Sequence, residues 1–176
     1  MKLNYLLSTI LVIGLSVTTL TFANEDSQKK VKPNLDGIEL PENYKDWKVI
    51  SASHRTDNKS MRIIIGNDIA IKAARSNQTN PWPDGTILGK LVWKQKAEEN
   101  WPTAIAPNAE AFVHAEFMYK DTKKFKDNGT NWGWARWLGQ EQKPYGDDKD
   151  LNQSCITCHT PVKGRDWVFT TPIKLP

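Results

Sequence analysis

Two cysteines and a histidine carry the sharpest chemical signal in the chain: Cys155-Ile156-Thr157-Cys158-His159. Two thiols at this spacing can each add across one vinyl group of a single porphyrin, forming two thioethers. The adjacent imidazole then supplies the proximal ligand to the iron. The pattern is that of c-type haem attachment. Two other chemistries share part of it. A thioredoxin-like redox pair stands where a strand opens a helix in a βαβ unit, whereas a polar stretch precedes this motif and Pro161 follows it. A structural zinc site wants four thiolate or imidazole ligands, and the other histidines, His54 and His114, are distant in sequence. With only 2 Cys, three positions apart, the chain has no means of stapling distant segments by disulfides.

An electron-transfer cytochrome needs a sixth iron ligand, commonly Met or His. The chain has neither after His159. His114, Met118, His54 and Met61 are the upstream candidates for that role. A five-coordinate haem whose distal face is open to a small molecule is therefore the expectation.

The elements that must position this site are mostly strands. Short β-branched and aromatic runs alternate with turn signals. Strands are expected over Trp47–Ser53, Met61–Gly66, Thr86–Lys96, Ala111–Tyr119 and Asn131–Leu138, with a closing strand near Trp167–Thr170. Asn67 can cap a helix over Asp68–Ser76, and single helical turns are expected at Asn43–Asp46 and Asp121–Lys126. Pro81-Trp82-Pro83-Asp84-Gly85 is a turn, and Gly139–Asn152 reads as polar and irregular. Strands that follow one another without crossover helices give an α+β fold, mainly one antiparallel sheet with a few short helices. Such a fold does not match the four-helix bundles that carry a similar C-terminal motif.

Residues 1–23 read as a secretory signal peptide. Lys2 precedes an apolar stretch, and Thr21-Phe22-Ala23 resembles a small-residue cleavage site. Export to the periplasm suits the motif, because bacteria complete covalent haem attachment outside the cytoplasm. Residues 24–39 read as a polar leader, and residues 40–176 as one folded domain. With 176 residues, 39% of them hydrophobic and 25% charged, the chain is of ordinary globular type. The net charge of +4 is mild, and Asp121 and Asp127 interrupt the basic run Lys123, Lys124, Lys126. No nucleic-acid partner is expected, nor any membrane contact after cleavage. The 8 Trp suit an aromatic-rich core around a large apolar group.

Several further residues place these features in a known pattern. They are Leu40-Pro41-Glu42-Asn43-Tyr44-Lys45-Asp46-Trp47 near the start, and Asp84-Gly85-Thr86 leading to Lys90. Glu116 follows, ahead of Lys120-Asp121, then Phe125, Asn131-Trp132, the haem motif and Val168-Phe169-Thr170. In this order and spacing the sequence resembles the cytochrome P-460 family, which includes the cytochromes c′-beta. The resemblance covers most of the chain beyond the leader. It implies a β-rich homodimer with one haem c per subunit, ligated by His159 and open on the distal side. It also implies a small nitrogen-containing or diatomic ligand and a redox partner protein. Cytochromes P-460 oxidise hydroxylamine, whereas cytochromes c′-beta bind nitric oxide and carbon monoxide.

By the same resemblance, Lys90 falls where cytochromes P-460 bond a lysine to the porphyrin edge. Its other reading is a surface lysine on an edge strand. Glu116 matches a pocket carboxylate that relays protons, and its other reading is a solvated edge position. Strand alternation groups Phe112, His114, Glu116 and Met118 on one face. A carboxylate among such neighbours has its pKa raised by desolvation. Phe112, Phe117 and the tryptophans are candidates to cap the distal side, with core packing as the alternative.

Overall fold

The computed structural model describes residues 30–146, 151–174 and 176. The expected signal peptide and the first part of the leader lie outside the described residues. The centre of the fold is one antiparallel sheet of six strands in sequence order. These are β1 (Lys48–Arg55), β2 (Ser60–Gly66), β3 (Ile87–Ala97), β4 (Ile105–Lys120), β5 (Trp132–Leu138) and the two-residue β6 (Lys143–Pro144). Two α-helices, α1 (Asp68–Arg75) and α2 (Leu151–His159), complete an α+β architecture. Sequential strands pair as neighbours, as the absence of crossover helices dictates.

Alternation along each strand sends apolar side chains to both faces, so the sheet carries two cores. On one face Ile64, Leu88, Trp132 and Trp134 pack with Ala70, Ile71 and Ala73 of α1 and with Trp82. On the other, Ile65, Ala115, Phe117, Ala135 and Trp137 pack with Ile38 and Tyr44 from the N-terminal segment. Helix α1 starts where Asn67 Oδ1 accepts from Ala70 N at 3.0 Å. Asp68 in its first turn and Lys72 and Arg75 in its last match the helix dipole.

Four expectations need correction. The leader is not loose throughout: Asn34 and Ile38 are buried, and Asn34 Nδ2 donates to the Trp134 carbonyl at 3.3 Å. No closing strand forms at Trp167–Thr170. Trp167 has a left-handed backbone (φ 67°), which breaks extended pairing. The stretch 139–152 is not wholly irregular, since it contains β6 and the start of α2. The turn expected at Asp121–Lys126 is instead a 3-10 turn that starts at the end of that span, at Lys126–Asn128. Its approach is fixed by Asp121 Oδ1, which accepts from Lys123 N and Lys124 N.

Candidate haem site

The sheet register assembles the site. Ile64 pairs with Lys90, Lys90 with Glu116 and Glu116 with Arg136, so their side chains form one row across β2 to β5. The parallel row Leu88, Met118, Trp134 lies two residues along each strand, and the row Arg62, Val92, His114 lies on the other side. Helix α2 faces these rows. Its Cys155 and Ile156 pack against the core that holds Leu88 and Trp134. Between them lies a cavity of about 580 Å³, lined on one side by Lys90, Glu116, Met118 and Arg136 and on the other by Cys155, Cys158 and His159. The five residues singled out in the sequence, Lys90, Glu116, Cys155, Cys158 and His159, all line this cavity.

His159 is oriented by a single strong contact, its Nδ1 lying 2.6 Å from the Trp167 carbonyl. A carbonyl only accepts, so Nδ1 carries the proton and Nε2 keeps its lone pair free for a metal. Burial lowers the imidazole pKa, against the pull of the Trp167 hydrogen bond, and keeps the ring in the neutral form that ligates. The ring packs against Phe169 at 5.0 Å and Trp134 at 6.0 Å between centroids. Burial likewise pushes the Cys155 thiol up to about 11, while Cys158 is exposed.

On the sheet wall, Glu116 contacts both Lys90 and Arg136, and His114 Nε2 lies 3.5 Å from its Oε1. Burial pushes the Glu116 pKa up, but Lys90, Arg136 and His114 together outweigh it, and the carboxyl ends below its ordinary value. The expected rise is therefore corrected, because three flanking groups, two of them cationic, override desolvation. His114 goes the other way. Burial, with Lys90 and Arg136 adding to it against Glu116, lowers its pKa to about 4.

The remaining sequence candidates separate cleanly. Met118 lines the cavity, whereas His54 is engaged with Gln95 on the exposed part of β1. Met61 pairs with Trp93 and is one strand position out of phase with Arg62 and Ile64, which line the cavity. Phe112 leaves the face of Glu116. The register slips where Val92 pairs with His114 but Trp93 with Phe112, so Val113 is an extra residue that reverses the alternation. Phe112 consequently packs with the opposite core. The Phe117 ring also lies there, edge-on to Tyr44, Trp47 and Trp137. Of the tryptophans, Trp134 lines the cavity and Trp101 is 68% exposed.

Sequence reasoning missed Arg62, Arg136 and Phe169, all of which line the cavity. A signal for Arg136 was present. It is the lone charge in the apolar strand Trp132–Leu138, at the alternation that Trp132 and Trp134 occupy.

These residues fit a haem. Ile64, Leu88, Met118, Trp134, Val168 and Phe169 give apolar walls, and the volume suits a large cofactor. Three buried donors, Arg62 Nε, Arg136 Nε and Trp134 Nε1, have no acceptor among the described residues. A buried unpaired donor is costly, and the carboxylates of a porphyrin are acceptors of the required charge. Two thiols and a neutral imidazole complete the donor set.

Residues 41–170 match the family model for cytochrome P460. The match begins at the proline ahead of the Tyr44–Asp46 turn and ends at Thr170 on the cavity lining. No curated protein matches the chain. The matched span covers well over half of the sequence and holds nearly all of the cavity lining; the chain belongs to the cytochrome P460 family, and its cofactor is haem.

Proposed function

We propose that this protein is an exported, periplasmic haem c protein that oxidises a small nitrogen species of the hydroxylamine type. It would act as a homodimer with one covalent haem per chain. The observation that carries this reading is Glu116, an ionised carboxylate held between Lys90 and Arg136 and lining the same cavity as the Cys155–His159 motif. A haem held by Cys155, Cys158 and His159 would supply an iron for binding the nitrogen ligand and a redox centre for its electrons, which a partner protein would take up.

The chain's own residues do the rest. Cys155 and Cys158 tether the porphyrin, and His159 Nε2 is the proximal donor. The apolar walls exclude bulk water and strengthen every charge interaction within them. Glu116 accepts protons released by the nitrogen ligand. Its lowered pKa keeps it deprotonated at neutral pH. Lys90 lines the cavity beside it, where the resemblance expects a lysine joined to the porphyrin edge.

A second reading, reversible binding of nitric oxide or carbon monoxide without turnover, is favoured by the same ion pair. An amine engaged by Glu116 is not free to form a bond, and a carboxylate held low is a weak base. Peptide mapping of the purified holoprotein, together with hydroxylamine turnover, separates the two. Catalysis predicts Lys90 bonded to haem and a loss of roughly 10²-fold or more in turnover for Glu116→Gln. Unmodified Lys90 with no turnover of hydroxylamine would assign the protein to gas binding.

A further inference from the structure

Beside His159 lies a buried ion pair that the proposed chemistry does not use. Lys120, the last residue of β4, and Asp166, which follows the 3-10 segment Thr160–Arg165, are 5% and 10% exposed at their side chains, with Nζ 2.7 Å from Oδ1. A buried pair of this kind is weak evidence for stability as such, because apolar side chains of similar size often serve as well. The other use of such a pair is geometric.

The contacts around Asp166 supply one. Its Oδ2 accepts from Trp82 N at 2.8 Å, and its carbonyl accepts from Trp132 Nε1 at 2.9 Å. The Lys120 ammonium lies over the Trp132 ring at 5.0 Å. Asp166 and Trp167 are both left-handed, at φ 51° and 67°, and neither is glycine. Two such residues in succession persist only where their surroundings over-determine them. The double turn they make brings the Trp167 carbonyl to His159 Nδ1.

We propose that Lys120 and Asp166 are positioning residues for the axial imidazole: their ion pair clamps the left-handed turn whose carbonyl orients and polarises His159. The inference rests on the haem c reading. A firm hydrogen bond from Nδ1 fixes the ring and makes Nε2 a stronger donor to iron. Loosening the clamp weakens that bond, which lowers the iron–histidine stretching frequency and raises the reduction potential.

The test uses haem-loaded Lys120→Met and Asp166→Asn, read by resonance Raman of the ferrous protein and by redox titration. Both variants are expected to lower or split the iron–histidine band and to raise the potential, with Lys120→Arg restoring the wild-type band. Ile38→Ala, in the core on the opposite sheet face, is expected to lower stability without moving the band, which separates positioning from general weakening. An unmoved band and potential in Lys120→Met and Asp166→Asn would overturn the proposal. Where those variants do not take up haem, Asp166→Glu keeps the charge but lengthens the tie. A shifted band in it supports the clamp and an unshifted one refutes it. A wild-type pyridine haemochrome spectrum without thioether-linked haem would refute the haem c reading itself, a separate outcome.

Discussion

In the proposed chemistry Glu116 takes the protons, and its environment decides between two opposed effects. Desolvation alone would raise its pKa, but Lys90 and Arg136 keep it ionised. Its neighbour His114 titrates in the window where this balance is measurable. The folded-state pKa of His114 is about 4 against an ordinary 6.5. Between those values the unfolded chain binds a proton that the folded chain refuses, so stability falls as pH is lowered from about 6.5 to about 4. The ion pairs of Glu116 contribute above its ordinary range, and that contribution is lost only as pH falls through its lower folded value. Thermal unfolding as a function of pH should therefore show a shallower decline in His114→Gln than in the wild type over that window. An unchanged slope would mean that His114 is not held neutral by burial.

At the scale of elements, strand pairing turns scattered residues into a site. Lys90 and Glu116 are 26 residues apart in sequence yet directly opposite in register. Gly89, beside Lys90, lets Phe117 and Ile65 pack closely on the opposite face of the sheet. A Cβ there would lie 2.7 Å from Phe117 Cε1 and 2.9 Å from Ile65 Cγ1. Gly89→Ala is expected to destabilise the fold by about 1–3 kcal/mol through overpacking, readable as a lower urea midpoint; a wild-type midpoint would contradict the packing described. Much of this level was legible beforehand. Alternating β-branched runs located five of the strands, and Asn67 announced α1. What alternation could not foresee was the extra residue at Val113, which exiles Phe112, because a bulge leaves no local pattern of its own. Nor could it foresee the left-handed Asp166 and Trp167, since neither position is the glycine that usually marks such a turn. The pairing of Lys90 and Arg136 with Glu116 was equally hidden. It depends on which strands become neighbours, and no single segment encodes that.

The whole molecule is a sheet with a separate core on each face, one of which opens into the haem cavity. The cavity brings Cys155, Cys158 and His159 from one segment together with Lys90 and Glu116 from two others, all within the span that matches cytochrome P460. The Cys155–His159 motif was legible from spacing alone, whereas the charged wall opposite it emerged only from the assembled sheet. The cavity presents one oriented imidazole, and the central claim is an open iron beyond it. The absorption spectrum of the purified ferrous protein, expressed with a haem maturation system, tests this most directly. A five-coordinate, high-spin spectrum is the predicted result. A six-coordinate, low-spin spectrum in both redox states, with Met118 or His114 as the added ligand, would contradict it.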